Sequence, residues 1–259
     1  IKVGEPFFIR NLLLFPLGNG QEKTDKISNI DNLLEQKQCR IKELSPPTIE
    51  KVQFDNLSDR RVLILDGEEI LGAMQNRVTT SSFIVEARAS LKIPTVCVEQ
   101  GRWQTGKGSR TFFSGRSVSY PTLRAILAKS TVRRDLKSST SRQDLVWQEV
   151  TRKLSTTRVT SLTSSMHDIY ENLENEINRY LDDSPTLDDV CGLIASASNK
   201  LLALDLFGAP DLFGIFKEKL LKSYALDAIQ YRNRPTSISR QLPERIFDEI
   251  DKAKISRLR

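Results

Sequence analysis

The segment from Val62 to Trp103 constrains this chain most. Short apolar runs there end in dense polar clusters: Val62-Leu63-Ile64-Leu65 runs into Asp66-Gly67-Glu68-Glu69, and Thr95-Val96-Cys97-Val98 runs into Glu99-Gln100-Gly101-Arg102-Trp103. Branched apolar runs bounded by turn residues read as strands. Polar groups set directly at the ends of core strands point to a site more readily than to a solvated face.

The same punctuation extends through the first half of the chain. Pro6 to Leu17 is strand-like and closed by Gly18-Asn19-Gly20, and Cys39 to Leu44 is a short strand cut off by Pro46 and Pro47. Val52 to Phe54, a turn over Asn56 to Asp59, and Arg61 to Leu65 read as a hairpin. The Asp66-Gly67-Glu68-Glu69 turn leads into a strand over Ile70-Leu71-Gly72-Ala73, with two more over Ser82 to Val85 and Leu91 to Val98. Short strands with turns every 8 to 12 residues or so predict a β-sandwich or a partly open barrel.

Beyond Trp103 the pattern changes. Gln104 to Ser119 is rich in Gly, Ser and Arg and reads as a long loop or flap. Helical spacing starts at Tyr120 to Ala128, and Ser141-Arg142-Gln143-Asp144 forms an N-cap for a helix carrying Leu145, Val146, Trp147, Val150 and Leu154. Ser165 to Leu181 reads as one amphipathic helix ended by Pro185. Val190 to Ala197 and Leu201 to Phe207 form a hairpin turning at Ser198-Asn199-Lys200, and Asp211 to Ile229 is a long helix. Strands and helices in blocks predict an α+β fold: a β-rich part over 1–125 carrying the polar motifs, a helix-rich part over 126–230 with the hairpin at 190–207, and a basic tail over 231–259.

Composition narrows the classes of function. A chain of 259 residues, 39% hydrophobic and 28% charged, can bury a large core. Its longest uncharged apolar run, Asn11 to Leu17, is far below the roughly 20 residues of a membrane helix. With no secretory leader pattern, the expected location is cytoplasmic and no membrane partner is expected. Cys39, Cys97 and Cys191 are too few and too scattered for a disulfide framework or a paired zinc spacing, and Cys97 reads as a small core residue. The single histidine, His167, argues against most histidine-based mechanisms.

The net charge of +6 is unevenly spread. Between residues 102 and 142, Arg102, Lys107, Arg110, Arg116, Arg124, Lys129, Arg133, Arg134, Lys137 and Arg142 face only Asp135, and the tail over 231–259 is also basic. Such stretches could meet nucleic acid or an acidic protein partner, although a solvated loop is the default reading.

Known chemistries are limited by what is missing. No phosphate loop ending in Gly-Lys-Ser/Thr, no dinucleotide fingerprint after a strand and no Gly-x-Ser-x-Gly elbow occurs. Asp66, Glu68, Glu69 and Glu99 supply oxygen ligands of the kind Mg²⁺ or Ca²⁺ takes. Glu68, Glu69 and Glu99 could equally move protons if burial raised one of them. The competing reading leaves Glu68 and Glu69 as turn caps in surface pairs. Gln75-Asn76-Arg77 and Gln100-Gly101-Arg102-Trp103 combine amides, guanidinium groups and an indole, a set suited to a flat ring with ribose or phosphate. Trp103 as plain core is the alternative.

The run from Val62 through Asp66-Gly67-Glu68-Glu69 and Gln75-Asn76-Arg77 to Val78, with Ile93-Pro94-Thr95-Val96-Cys97-Val98-Glu99-Gln100-Gly101-Arg102-Trp103, closely resembles the family named for its association with ADP-ribosylglycohydrolases and rhodanese-type phosphatases. The resemblance continues through Gln143, Val146-Trp147, Leu206-Phe207 and Leu220 to Ala228. It implies a neighbourhood in NAD and ADP-ribose metabolism, not a specified reaction, and it supports Asp66, Glu68, Glu69, Gln75, Asn76, Arg77, Glu99, Gln100, Arg102 and Trp103 as a shared polar surface. Two expectations follow. One is a ligand-binding or hydrolytic domain for an ADP-ribose-like nucleotide or related phosphate compound, with Glu68, Glu69 and Glu99 as the reactive carboxylates. The other is a non-enzymatic interaction module of a nucleic-acid-associated or multi-protein assembly. The first requires that the cluster near Glu68 and the cluster near Arg102 meet.

Overall fold

The computed structural model describes residues 1–18, 27–102, 111–132, 141–234, 236–237 and 241–252. In chain order its strands are β1 (Lys2–Val3), β2 (Phe7–Ile9), β3 (Leu12–Gly18), β4 (Ile27–Ser28), β5 (Cys39–Glu43), β6 (Lys51–Asn56), β7 (Arg61–Ile64), β8 (Glu68–Gly72), β9 (Arg77–Thr79), β10 (Phe83–Val85), β11 (Ser90–Cys97), β12 (Phe112–Val118), β13 (Gly192–Ala197) and β14 (Lys200–Leu206). The helices are α1 (Ile30–Glu35), α2 (Pro121–Val132), α3 (Arg142–Thr157), α4 (Met166–Asn172), α5 (Glu174–Asp182), α6 (Pro210–Ile229) and α7 (Leu242–Lys252). The fold is α+β, as the blockwise order of strands and helices predicts.

A six-stranded sheet in the order β12-β8-β9-β11-β6-β5 carries the polar motifs. Its two edges come back together at a bridge between Lys42 on β5 and Thr111 just before β12, so the sheet curls into a partly closed barrel. Curling follows from the side-chain alternation: β5 and β6 bury every second residue, and those residues face a common interior. Cys39, Ile41, Val52, Phe54, Ile70, Ile93 and Phe112 fill it. Fully burying each large member adds about 1.5 to 3 kcal/mol of hydrophobic stabilisation.

Two smaller sheets complete the β structure. β7 pairs antiparallel with β10 and parallel with β4. β3 lies between β1 and β13, also pairs with β2, and β13 pairs on with β14. This last sheet joins residues near the start of the chain to the hairpin near residue 200, and its core is shared with α2 to α6. α6 is buried along most of its length, with the apolar stripe of Phe213, Phe216, Leu220, Tyr224 and Ala228 inside. α7 lays Leu242, Ile246 and Phe247 against Leu13, Phe15, Leu17 and Ile194 on the opposite face of the sheet.

Several sequence expectations hold. The β13–β14 turn places Ser198 and Asn199 at φ of 51° and 60°, the left-handed pair that a two-residue hairpin requires. Ser141 and Asp144 form a reciprocal capping box at the start of α3, and Cys97 is fully buried.

Others are corrected. β6 and β7 are not a hairpin: β6 pairs with β5 and β11, whereas β7 leaves for the three-stranded sheet. Asn56 explains the parting, because its side-chain amide donates to the carbonyls of Arg60 and Glu86 and its Oδ1 accepts from Ser58, so the turn is anchored to other segments. The flap expected over 104–119 is in part strand β12, while residues 103–110 lie outside the described residues. The helix expected over 165–181 is broken at Leu173 into α4 and α5. Glu68 and Glu69 open strand β8 rather than close a turn.

Arg77 on β9 points into the barrel, where its Nη2 donates to Glu43 Oε1 at 2.6 Å and Nη1 to the carbonyl of Thr48 at 2.8 Å. Both side chains are 0% exposed, and the guanidinium lies 5.2 Å from the centre of the Phe112 ring. Arg77 Nε and Glu43 Oε2 have no hydrogen-bond partner among the described residues. Removing one partner strands a buried charge. Arg77→Met is therefore expected to cost about 3 to 5 kcal/mol in urea unfolding, while Arg77→Met with Glu43→Met recovers most of that loss. Equal destabilisation by the single and double variants would contradict this view of the barrel interior.

Candidate functional site

Adjacent residues on a strand face opposite ways, so β8 sends Glu68 and Glu69 to opposite sides of the sheet. Glu68 is fully buried toward α1 and α6. Its Oε1 meets the ammonium of Lys219, and its Oε2 accepts from the Leu65 N–H at 2.9 Å. Lys219 also pairs with Asp31 at 2.8 Å, so one ammonium serves two carboxylates. Burial, together with the Asp31 charge, raises the Glu68 pKa against the pull of Lys219. Burial alone would lower Lys219, but the two carboxylates raise it and hold it charged.

Asp66, in the turn before β8, pairs with Arg124 of α2 at 3.1 Å. Arg124 also makes a bidentate pair with Asp205, at 2.9 and 2.7 Å, and Tyr224 donates its hydroxyl proton to Asp205. Although burial favours protonation of Asp66, the Arg124 charge outweighs it and lowers the pKa. Gly67 is required in this turn: its φ is 77°, and a Cβ there would stand 3.0 Å from both Arg124 and Ser119.

Glu69 has a different setting. Opposite it, β12 bulges: Ser114 pairs with Ile70 and Val118 with Glu68, so Gly115, Arg116 and Ser117 together face the single residue Glu69. Arg116 takes a φ of 52° within the bulge. Bulges of this kind re-aim side chains and recur beside functional sites. Here the bulge makes room for a carboxylate, because a Cβ on Gly115 would overlap Glu69 Oε2 and lie 2.8 Å from its Cδ. Glu69 Oε2 accepts from Ser117 Oγ at 2.6 Å and lies 3.2 Å from Nδ1 of His167 on α4. Glu69 Oε1 is buried with no hydrogen-bond partner among the described residues.

His167 is the surface end of this arrangement, with 23% of its side chain exposed and Nε2 3.3 Å from the exposed carboxylate of Glu171. Burial would lower its pKa, but the hydrogen bond and charge of Glu69, with the charges of Glu171 and Asp168, raise it above the ordinary histidine value.

The second polar cluster is tightly bonded. Glu99 accepts from Arg102 Nε at 2.9 Å and Nη2 at 2.6 Å, from the Asn76 N–H at 2.9 Å and from Thr163 Oγ1 at 2.9 Å. Burial would raise Glu99, yet these donors and the Arg102 charge lower its pKa. Arg102 also donates to the Ala73 carbonyl and to Asn76 Oδ1, and Gln75 donates to the Glu99 carbonyl at 3.0 Å. Gln143, at the start of α3, caps the end of β11 by exchanging two hydrogen bonds with Cys97.

One short segment, 163–167, touches Glu69 of the first cluster and Glu99 and Asn76 of the second. Thr163 donates to Glu99, Ser165 bridges Glu99 through the backbone and lies beside Asn76, and His167 reaches Glu69. The structure thus gathers Glu69, Gln75, Asn76, Glu99 and Arg102 around the start of α4. Asp66 and Glu68 are turned toward α2 and α6, and Arg77 lies inside the barrel. Gln100 is exposed in the turn after β11, and Trp103 lies outside the described residues. No three His, Cys, Asp or Glu among the described residues come together as metal ligands, and Asp66, Glu68, Glu69 and Glu99 each have a basic side chain within ion-pair distance.

The sequence reading does not place His167 among the site residues, and the structure puts it beside Glu69. The signal available was its place two residues after Ser165, whose hydroxyl accepts from the His167 N–H as the cap of α4. The fit between Gly115 and Glu69 generates a test. Gly115→Ala is expected to push the Glu69 carboxylate off its donors and cost about 1 to 3 kcal/mol by thermal or urea unfolding. Unchanged stability would show that the bulge is not shaped around that carboxylate.

Among the described residues, no helix is long and apolar enough to cross a membrane. The chain matches no curated protein and no solved structure. The family model of the ARG and Rhodanese-Phosphatase-superfamily-associated Protein domain, ARPP-1, matches residues 1–259. With its whole length matched, the chain belongs to that family.

Proposed function

We infer that this chain is a ligand-binding or hydrolytic domain for an ADP-ribose-like nucleotide or a related phosphate compound, which it takes on the surface where segment 163–167 joins the two polar clusters. The observation that carries this reading is the convergence itself: within one five-residue segment, His167 touches Glu69 and Thr163 touches Glu99. The nucleotide class comes from the family's association with ADP-ribosylglycohydrolases, and the chemistry around the segment suits it.

Phe113 supports a base-binding role. It pairs with Leu71 across β12 and β8, so it shares a sheet face with Leu71 and Glu69, two residues farther along. Phe113 is 62% exposed. An aromatic ring left in water beside a polar cluster offers a stacking surface for adenine, and His167, whose acidic neighbours favour its protonated form, offers a ring N–H to phosphate.

The alternative, an interaction module acting through the basic stretch 102–142 and the tail 231–259, draws less support from the described residues. Arg102, Arg116 and Arg124 each pair with carboxylates of this chain, which leaves those three less charge for an acidic partner. Much of both stretches lies outside the described residues.

Calorimetry with ADP-ribose, with and without Mg²⁺, tests the proposed function. Binding is expected, and Phe113→Ala is expected to weaken it roughly tenfold without lowering the melting temperature. No heat of binding, or an affinity indifferent to Phe113, would contradict it.

A further inference from the structure

We propose that His167, oriented by Glu69, is a general acid that delivers its Nε2 proton to the leaving oxygen of a nucleotide ester held on this surface. The inference rests on the ligand-binding reading above and adds a reaction class to it.

Geometry carries the argument. A buried carboxylate must be met by donors, and Glu69 has only Ser117 and His167 for one oxygen and no partner among the described residues for the other. Its demand for positive charge therefore falls on the imidazole. Glu69 fixes Nδ1 as the inward donor, which directs Nε2 outward, where the exposed carboxylate of Glu171 lies 3.3 Å away. The bulge of β12, with Gly115 beside the carboxylate, is a local departure from sheet geometry that serves this one side chain. The charged groups facing the ring are Glu69 from β8 and Asp168 and Glu171 from α4 itself, all acidic, and all keep the proton on the ring.

An acid of this kind selects its substrate class. A phosphate leaving group departs without a proton, whereas an alcohol leaving group, with a pKa far above that of histidine, needs one. The pair therefore suits an ester of a nucleotide with an alcohol better than a pyrophosphate. In the step, water oxygen forms a bond to phosphorus as the bond from phosphorus to the alcohol oxygen breaks. The electron pair stays on that oxygen, which takes the Nε2 proton and leaves as the alcohol. The proton lost by the attacking water returns to the ring through solvent, so one ester and one water give one alcohol and one phosphate monoester.

His167 is the only histidine in the chain, so imidazole NMR reads it without assignment. The experiment compares hydrolysis of the methyl and p-nitrophenyl esters of adenosine 5′-monophosphate, and titrates His167, in the wild-type protein and in His167→Gln, Glu69→Gln and Ser117→Ala. His167→Gln is expected to lose about 10²- to 10⁴-fold on the methyl ester and far less on the p-nitrophenyl ester, whose leaving group needs little proton. Glu69→Gln is expected to move the histidine titration, and with it the alkaline fall of the rate, to lower pH. Ser117→Ala removes a competing donor and is expected to move both to higher pH, so a poorly folded Glu69→Gln leaves the idea testable. Bound ADP-ribose with no hydrolysis of either ester, equal losses on both esters, or a histidine titration indifferent to Glu69 and Ser117 would overturn the general acid. Failure of ADP-ribose to bind would instead remove the ligand-binding reading beneath it.

Discussion

A carboxylate withdrawn from water costs several kcal/mol unless a cation or donors meet it, and β8 withdraws two in succession. Because Glu68 and Glu69 face opposite sides of one strand, no single partner can serve both. Glu68 is met by Lys219, 151 residues on, and Glu69 by His167, 98 residues on. The same requirement recurs at Asp66 and Asp205, which share Arg124, and at Asp227, which receives Lys153, Thr122 and the Thr122 N–H. The contacts of Glu68, Glu69 and Asp66 join the barrel and its turn to α6, α4 and α2, and those of Asp205 and Asp227 join β14 and α6 to α2 and α3. Hydrophobic burial supplies the bulk of the stability, and the buried charges set which helix sits against which strand.

The candidate site follows from the same constraint. The pair on the α6 side is closed: Lys219 lies between two carboxylates and is almost wholly buried. The pair on the α4 side is open, because His167 is the one partner of these β8 carboxylates that reaches the surface. Around it, Asn76 and Arg102 hold Glu99 and tie the turn after β11 to the same segment. An internally bonded surround holding a part-exposed imidazole beside the exposed carboxylate of Glu171 leaves the outward nitrogen of His167 in reach of solvent.

Much of this was legible where the controlling interactions are local. The turn at Ser198-Asn199, the capping box at Ser141 and Asp144 and the apolar length of α6 depend on neighbours within a few residues. The polar clusters were visible too, because charge at the end of an apolar run needs no partner to be noticed. What escaped depends on distant residues. The hairpin expected between β6 and β7 failed because Asn56 ties its turn to Glu86 and β6 takes β5 and β11 as neighbours. β12 was hidden because Ser114-Gly115-Arg116-Ser117 resembles a loop, and only the carboxylate across the sheet gives those residues a reason to be strand. His167 was set aside because counting histidines says nothing about which buried carboxylate one of them faces.

The coupling between Glu69 and His167 ties β8 to α4, and a double-mutant cycle with Glu69→Gln and His167→Gln, read as unfolding free energy at pH 6 and pH 9, measures it most directly. A histidine whose pKa is raised by folding contributes stability that is fully present below its unfolded value, about 6.5, and is lost as pH rises through the folded value. The predicted result is a clear coupling at pH 6 that shrinks toward pH 9 as the imidazole loses its charge and only its hydrogen bond to the carboxylate remains. Additive effects of the two substitutions at both pH values would contradict the pairing and, with it, the site built on it.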